Sequence, residues 1–222
     1  IVGATVTFTQ GTNEVSDVAI SPDSRWALAS VREANHLRLL RCDEGRLMVT
    51  DRKISACGRP YRVVFTPDGQ FALTAGQGAG TVTSPDIDAL TVIRRRGDSF
   101  QTVDYVAIGA SPETIEVSPD GRLVAALVMN GSNLSPGTNG YSDHGQLVIL
   151  ARRGESFVRT QTLDVARIPE GVAFSPDGRT VIVQCHPDRE LRLYPVRRGR
   201  VLADYQSVPV PGFPAGLRAA GR

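Results

Sequence analysis

The chain consists of short segments in which apolar and polar residues alternate, as expected for strands with one buried face. The sequence has no amphipathic helical pattern of useful length. A six-residue turn recurs between these segments, as ISPDSR at 20–25, FTPDGQ at 65–70, VSPDGR at 117–122 and FSPDGR at 174–179. Proline presets φ at the first turn position, aspartate bonds to the local backbone, and glycine tolerates positive φ. Each copy therefore predicts a β-hairpin.

A second landmark indicates that the hairpins belong to longer repeats. A proline stands seven residues before the turn proline at Pro60, Pro112 and Pro169, and Val15 takes this position in the first copy. Pro214 continues the series, and a spacing of roughly 50 residues accommodates four strands per repeat. We therefore predict one domain with four blades at 15–59, 60–111, 112–168 and 169–213, flanked by single strands of further blades at 1–9 and 215–220, within the end segment 214–222.

Two of the repeats carry a family resemblance. Residues 169–183 (PEGVAFSPDGRTVIV) and 112–127 (PETIEVSPDGRLVAAL) resemble the YVTN-type and lactonase-like β-propellers. The resemblance extends over essentially the whole chain and implies an all-β fold, a β-propeller of four-stranded antiparallel blades that is part of a seven-bladed ring. The WD-repeat family is a weaker match, because Trp26 is the single tryptophan and no Gly-His…Trp-Asp signature recurs.

The number of repeats is smaller than the resemblance implies. Seven blades at this spacing need about 320–350 residues, whereas the sequence has 222. We expect the sequence to be a part of a longer chain. A small ring, or a ring assembled from several chains, is the alternative.

Composition narrows the class of partner. The net charge of +2 gives no electrostatic case for nucleic acid. Cys42, Cys57 and Cys185 have no CxxC spacing and are predicted to be free thiols. No apolar run is long enough to span a bilayer. We expect a soluble bacterial protein, periplasmic or cytoplasmic, whose partner is an unidentified protein or small molecule.

The links between blades hold the first group of candidate site residues. In the family that the chain resembles, ligand and catalytic sites lie on the face that carries these links, near the axis. Tyr61, Glu113 and Glu170 each follow a landmark proline, and Arg62 follows Tyr61. Two carboxylates from adjacent blades could act as general acid and base or bind a divalent cation. Alternatively, they bond only to neighbouring backbone amides.

The second group lies on the links between the second and third strands. Residues 130–145 form the longest insertion and contain Tyr141, Asp143 and His144, so we predict a specificity loop, with a tolerated surface insertion as the alternative. His36 and His186 lie on equivalent links. Convergence of the three histidines on a metal would suit zinc or iron. We predict no metal and no cofactor, because equivalent positions on different blades are far apart.

Two functions remain open. The first is a scaffold that binds a protein or a small molecule through its loop-rich face, because no catalytic constellation is complete. The alternative, implied by the resemblance, is a lactonase-like hydrolase or lactonising enzyme for a sugar acid or related anion. Such relatives use a histidine, a glutamate and an arginine on this face, for which the candidates are His144, Glu170 and Arg62. Residues predicted to bind the ligand are Tyr61, Glu113, Tyr141, Asp143 and His186.

Overall fold

The structure, a computed structural model, describes residues 15–78 and 88–218. Those residues form antiparallel sheets, and their single helical element is a 3-10 turn at Arg32–Ala34. The predicted all-β class is therefore confirmed. The strand predicted at 1–9 lies outside the described residues. Within the described residues, no helix is long and apolar enough to cross a membrane.

The strands follow the chain in groups of four, and neighbours in sequence pair within each group. Blade 1 contains β1 (Val15–Ile20), β2 (Trp26–Val31), β3 (His36–Asp43) and β4 (Arg46–Ser55). Blade 2 contains β5 (Pro60–Phe65), β6 (Phe71–Gly76), β7 (Ala89–Arg96) and β8 (Ser99–Ala107). Blade 3 contains β9 (Pro112–Val117), β10 (Leu123–Val128), β11 (Gly145–Arg153) and β12 (Ser156–Val165). Blade 4 contains β13 (Pro169–Phe174), β14 (Thr180–Cys185), β15 (Glu190–Arg197), β16 (Arg200–Val201) and β17 (Gln206–Pro209).

Blade 4 differs from the prediction in its outer strand. The sequence pattern predicts one strand over 201–208, but the structure has the short β16 and the separate β17, both paired with β15. Pro195 lies in β15 and has no N–H to donate to an outer strand. The ladder stops beside it, where the Leu202 N–H donates to the Pro195 carbonyl over 2.9 Å.

The strand predicted at 215–220 is also absent from the part of the chain that the structure describes, which ends at residue 218. A side chain takes the place of a backbone ladder there. Gln184 is buried and accepts a hydrogen bond from the Gly216 N–H at 2.8 Å, while its amide donates to the Pro214 carbonyl. This segment therefore lies along blade 4 without forming a strand.

The four sheets fan out from their first strands. β1 contacts β5, β5 contacts β9, and β9 contacts β13, whereas the outer strands of neighbouring blades make fewer contacts. Every residue of β2, β6 and β10 is buried. The apolar core consists of layers between adjacent sheets, such as the layer that joins Phe71 and Leu73 of blade 2 to Val124 and Phe157 of blade 3.

The hairpin turns at one end of the fan share one hydrogen-bond pattern. In each turn a serine or threonine hydroxyl donates to the aspartate two residues later at 2.6 Å, from Ser21, Thr66, Ser118 and Ser175. The same carboxylate accepts a backbone N–H two residues further on. The predicted hairpins therefore form at these turns, and the aspartate side chains bond to the local backbone as expected from the sequence.

The opposite end contains the links between blades. The residue before each landmark proline has a left-handed backbone, with φ of 51° at Arg59, 55° at Ser111 and 49° at Ile168. The ladder between the first and second strands is irregular next to each of these prolines. This corner turns the chain inward, so that the residue after each proline reaches the axis.

Candidate functional site

A cavity of about 370 Å³ lies at the inner end of the four first strands, a volume within the usual range for small-molecule sites. Residues of all four blades and of the segment after blade 4 line it: Ser16, Asp17, Tyr61, Arg62, Glu113, Thr114, Glu170, Ala215, Gly216 and Arg218. Four residues predicted from the sequence thus meet in one place, namely Tyr61, Arg62, Glu113 and Glu170.

Glu113 is the most perturbed carboxyl group of the cavity. Burial, and next the negative charge of Glu170, raise the pKa of Glu113 to about 7. The Tyr61 hydroxyl and the Gln77 amide hydrogen-bond to the Glu113 carboxyl group, the latter at 3.0 Å. Gln77 is held in turn by Arg32, which donates to its side-chain oxygen at 2.9 Å. Glu113 therefore has a fixed orientation and can exchange a proton near neutral pH.

The histidine beside Glu170 is His186, whereas the sequence analysis grouped His144 with Glu170. The Nδ1 atom of His186 is 3.7 Å from Glu170 Oε2 and 2.9 Å from the Pro214 carbonyl oxygen. A carbonyl oxygen only accepts, so Nδ1 carries the hydrogen of this contact. The ring packs on Phe213, with 5.4 Å between the ring centroids. The sequence analysis assigned ligand binding to His186; the structure places it next to the carboxylate pair.

Arg62 is half-buried and already paired. Its Nη2 donates to Glu116 Oε2 at 3.2 Å, and its Nε is 4.0 Å from Asp17 Oδ2. Asp17 also accepts the Val63 N–H at 3.1 Å and pairs with Arg218. Sequence analysis missed Asp17 and Arg218. The available signal was the phase of Asp17, two residues after Val15, which is the position that matches the landmark prolines.

The insertion at 130–145 places its candidate residues elsewhere. His144 lies between two aspartates, with Nδ1 2.6 Å from Asp143 Oδ1 and Nε2 3.3 Å from Asp164 Oδ1. The guanidinium carbon of Arg167 lies over the Tyr141 ring, 5.6 Å from the ring centroid. His144, Asp143 and Tyr141 are not among the described residues that line the cavity. The structure therefore does not bring His144 into the cavity that holds Glu170 and Arg62.

The three histidines belong to different surroundings. His36 Nδ1 is 2.9 Å from the carbonyl oxygen of Ala34, while His144 pairs with aspartates and His186 lies beside Glu170. Across residues 15–78 and 88–218, no group of three or more histidine, cysteine, aspartate or glutamate side chains is placed to hold a metal ion. The cysteines of these ranges are all free thiols.

Comparisons with known proteins agree with this architecture. Residues 3–92 match the family model described as Lactonase, 7-bladed beta-propeller. No curated protein matches the chain. Similar solved structures include the periplasmic gluconolactonase of Pseudomonas aeruginosa, with a TM-score of 0.73, 23% identity, and coverage of 93% of this chain and 56% of that one. The chain is a β-propeller.

Two further solved structures with a similar fold are named as other enzymes. A proposed 6-phosphogluconolactonase of Bacteroides fragilis has a TM-score of 0.73 and 14% identity, over 93% of this chain and 57% of that one. Hydrazine synthase of Kuenenia stuttgartiensis has a TM-score of 0.72 and 18% identity, over 91% and 64%. The propeller spans about three fifths of the length of these neighbours. Such distant likeness shows the fold, and the fold alone does not determine the chemistry.

The cavity of the propeller offers acid–base chemistry. Glu113 and Glu170 come from adjacent blades, and one of them titrates near neutral pH. Two carboxyl groups in one cavity can act as general acid and general base, so that one donates a proton while the other accepts one. His186 and Tyr61 lie beside the pair and can orient it.

Proposed function

We propose that this propeller is a lactonase-like hydrolase that opens a cyclic ester in its central cavity. The observation that carries the proposal is the pair formed by Glu113 and Glu170 at the axis, with Glu113 able to hold a proton at neutral pH. The family match over residues 3–92 and the gluconolactonase neighbour support the same class. They favour a lactonase-like function over the binding scaffold that the sequence analysis placed first.

The two carboxyl groups have complementary tasks in this proposal. The Glu170 carboxylate accepts a proton from water while the water oxygen bonds to the carbonyl carbon of the lactone. Protonated Glu113 donates its proton to the ring oxygen as the bond between that oxygen and the carbonyl carbon breaks. The product is an open hydroxy acid, and transfer of one proton from Glu170 to Glu113 restores the starting state. General acid–base catalysis of this kind contributes typically 10²- to 10⁴-fold in rate.

The neighbouring groups position this pair. Tyr61 and Gln77 hold the Glu113 carboxyl group, so its acidic proton points in a limited range of directions. His186 is fixed by the Pro214 carbonyl and lies beside Glu170. The polar groups thus come from rigid strand ends and from the links next to them, which favours a constant geometry.

The test is hydrolysis of δ-gluconolactone by the full chain, followed by titration of the acid released. Glu113→Gln and Glu170→Gln are each expected to lower kcat at least about 100-fold, because each removes one proton-transfer group. Glu33→Gln is the matched control, since Glu33 is exposed and pairs with Arg59 away from the cavity. Hydrolysis no faster than in buffer, or full activity in the doubly substituted variant, would refute the proposal.

A further inference from the structure

Carboxyl groups outnumber arginines among the described residues that line the cavity. Asp17, Glu113 and Glu170 line it, and Arg62 and Arg218 are the cationic side chains among its described lining residues. Glu116 adds a fourth carboxyl group directly behind Arg62. With Glu113 protonated, the charges of Asp17 and Glu170 balance those of Arg62 and Arg218, so the lining residues supply no net positive charge to attract an anion.

The two arginines are also committed to protein carboxylates. Arg62 pairs with Glu116 and approaches Asp17, and its Nε is covered by protein. Arg218 pairs with the same aspartate, Asp17. A phosphate site normally uses uncommitted arginine or lysine donors or the N-terminus of a helix. The described lining residues supply neither.

The same lining suits hydroxyl groups. Ionised carboxylates only accept hydrogen bonds, and a sugar ring carries several hydroxyl donors. Ser16 and Thr114 also line the cavity, but protein atoms cover their hydroxyl oxygens, so the carboxyl groups are the acceptors that face a ligand.

We propose that the cavity takes an uncharged, hydroxyl-rich lactone and discriminates against its phosphorylated or carboxylated analogues. This inference rests on the proposed lactonase function and names its substrate class. It differs from the expectation of an anionic substrate that came from the family resemblance. Asp17 is the specificity-determining residue, because its carboxylate faces the cavity and pairs with both cations that could otherwise receive an anion.

The experiment compares δ-gluconolactone with its 6-phosphate in the full chain. We expect kcat/KM to be at least tenfold higher for the uncharged lactone. Asp17→Asn should shift this ratio about tenfold toward the phosphorylated lactone, since it frees Arg218 and removes the negative charge beside Arg62, while its side-chain oxygen can still accept the Val63 N–H. Ala215→Arg should shift the ratio in the same direction by adding a cation without altering the carboxylates. Glu33→Gln should leave the ratio unchanged.

Binding of inorganic phosphate separates the two proposals. Millimolar phosphate should leave the melting temperature of the unaltered protein unchanged and should raise that of the Ala215→Arg variant. If neither lactone is hydrolysed, the proposed function fails, and the phosphate measurement still tests the charge argument. Preference of the unaltered protein for the phosphorylated lactone, or its stabilisation by phosphate, would overturn the substrate class alone. The proposed substrate class would also be overturned if Asp17→Asn and Ala215→Arg both fold and neither changes the kcat/KM ratio of the two lactones.

Discussion

At the scale of single residues, the hairpin turns show how local chemistry determines backbone shape. Their third turn position has a left-handed backbone in every copy, with φ of 66° at Gly69, 71° at Gly121 and 69° at Gly178. Ser24 occupies this position in blade 1 with φ of 56°. A residue with a Cβ atom is strained there, whereas glycine is not.

Ser24→Gly is therefore expected to stabilise the protein by about 0.5–1 kcal/mol, because the relief of strain exceeds the added entropy of the unfolded chain. Urea unfolding measures the change in the free energy of unfolding. The reciprocal substitution Gly178→Ser should lower it. Equal stability of the Ser24→Gly variant and the unaltered protein would show that the turn of blade 1 is not strained.

At the scale of the elements, arginines join neighbouring blades. Arg95 in β7 pairs with Asp23 in the preceding turn at 2.6 Å, and Arg152 in β11 pairs with Asp68 at 2.6 Å. The guanidinium of Arg152 also lies 4.7 Å from the ring centroid of Phe71. Both arginines stand in short arginine runs of the sequence, at 94–96 and 152–153, and only the packing shows that each reaches back to the previous blade.

Arg152→Met should lower the free energy of unfolding by about 1–2 kcal/mol, since it removes the pairing with Asp68 and the contact with Phe71. Arg153→Met is the matched control, because Arg153 is the exposed neighbour on the same strand. Thermal unfolding at low and high salt measures both variants. Comparable losses in the two would contradict a specific role for Arg152 between blades.

Strand positions could be predicted because the turn signals are local in sequence. Each SPDG-type turn combines a hydroxyl, an aspartate and a left-handed position within six residues, so one repeat is sufficient to recognise it. The break in the outer strand of blade 4 depends on Pro195 in the neighbouring strand, and the pattern of 201–208 contains no sign of it. The pairing of Asp17 with Arg218 could not be predicted from the sequence either, because the two residues are about two hundred positions apart.

At the scale of the whole molecule, the central cavity collects carboxyl groups that unfolding would separate. Burial and the charge of Glu170 raise the pKa of Glu113 from 4.5 to about 7. Between these values the folded protein binds more protons at Glu113 than the unfolded chain does. This group therefore lowers the free energy of unfolding as pH rises from about 4.5 to about 7, and the loss is complete above pH 7.

Glu113→Gln should accordingly raise the free energy of unfolding by about 1–3 kcal/mol at pH 8, with little change at pH 4. Urea unfolding at the two pH values measures the difference. Glu33→Gln, at an exposed site, should show no such dependence on pH. A gain of the same size at both pH values would mean that ionisation of Glu113 is not its cause.

The left-handed residue and proline that begin β5, β9 and β13 fix the path of the chain before the next side chain is reached. Tyr61, Glu113 and Glu170 follow the same corner although one is aromatic and two are acidic. The architecture thus places few demands on the side chain at this position. Evolution can exchange the reactive groups at the centre of such a molecule one at a time, while the surrounding sheets remain as they are.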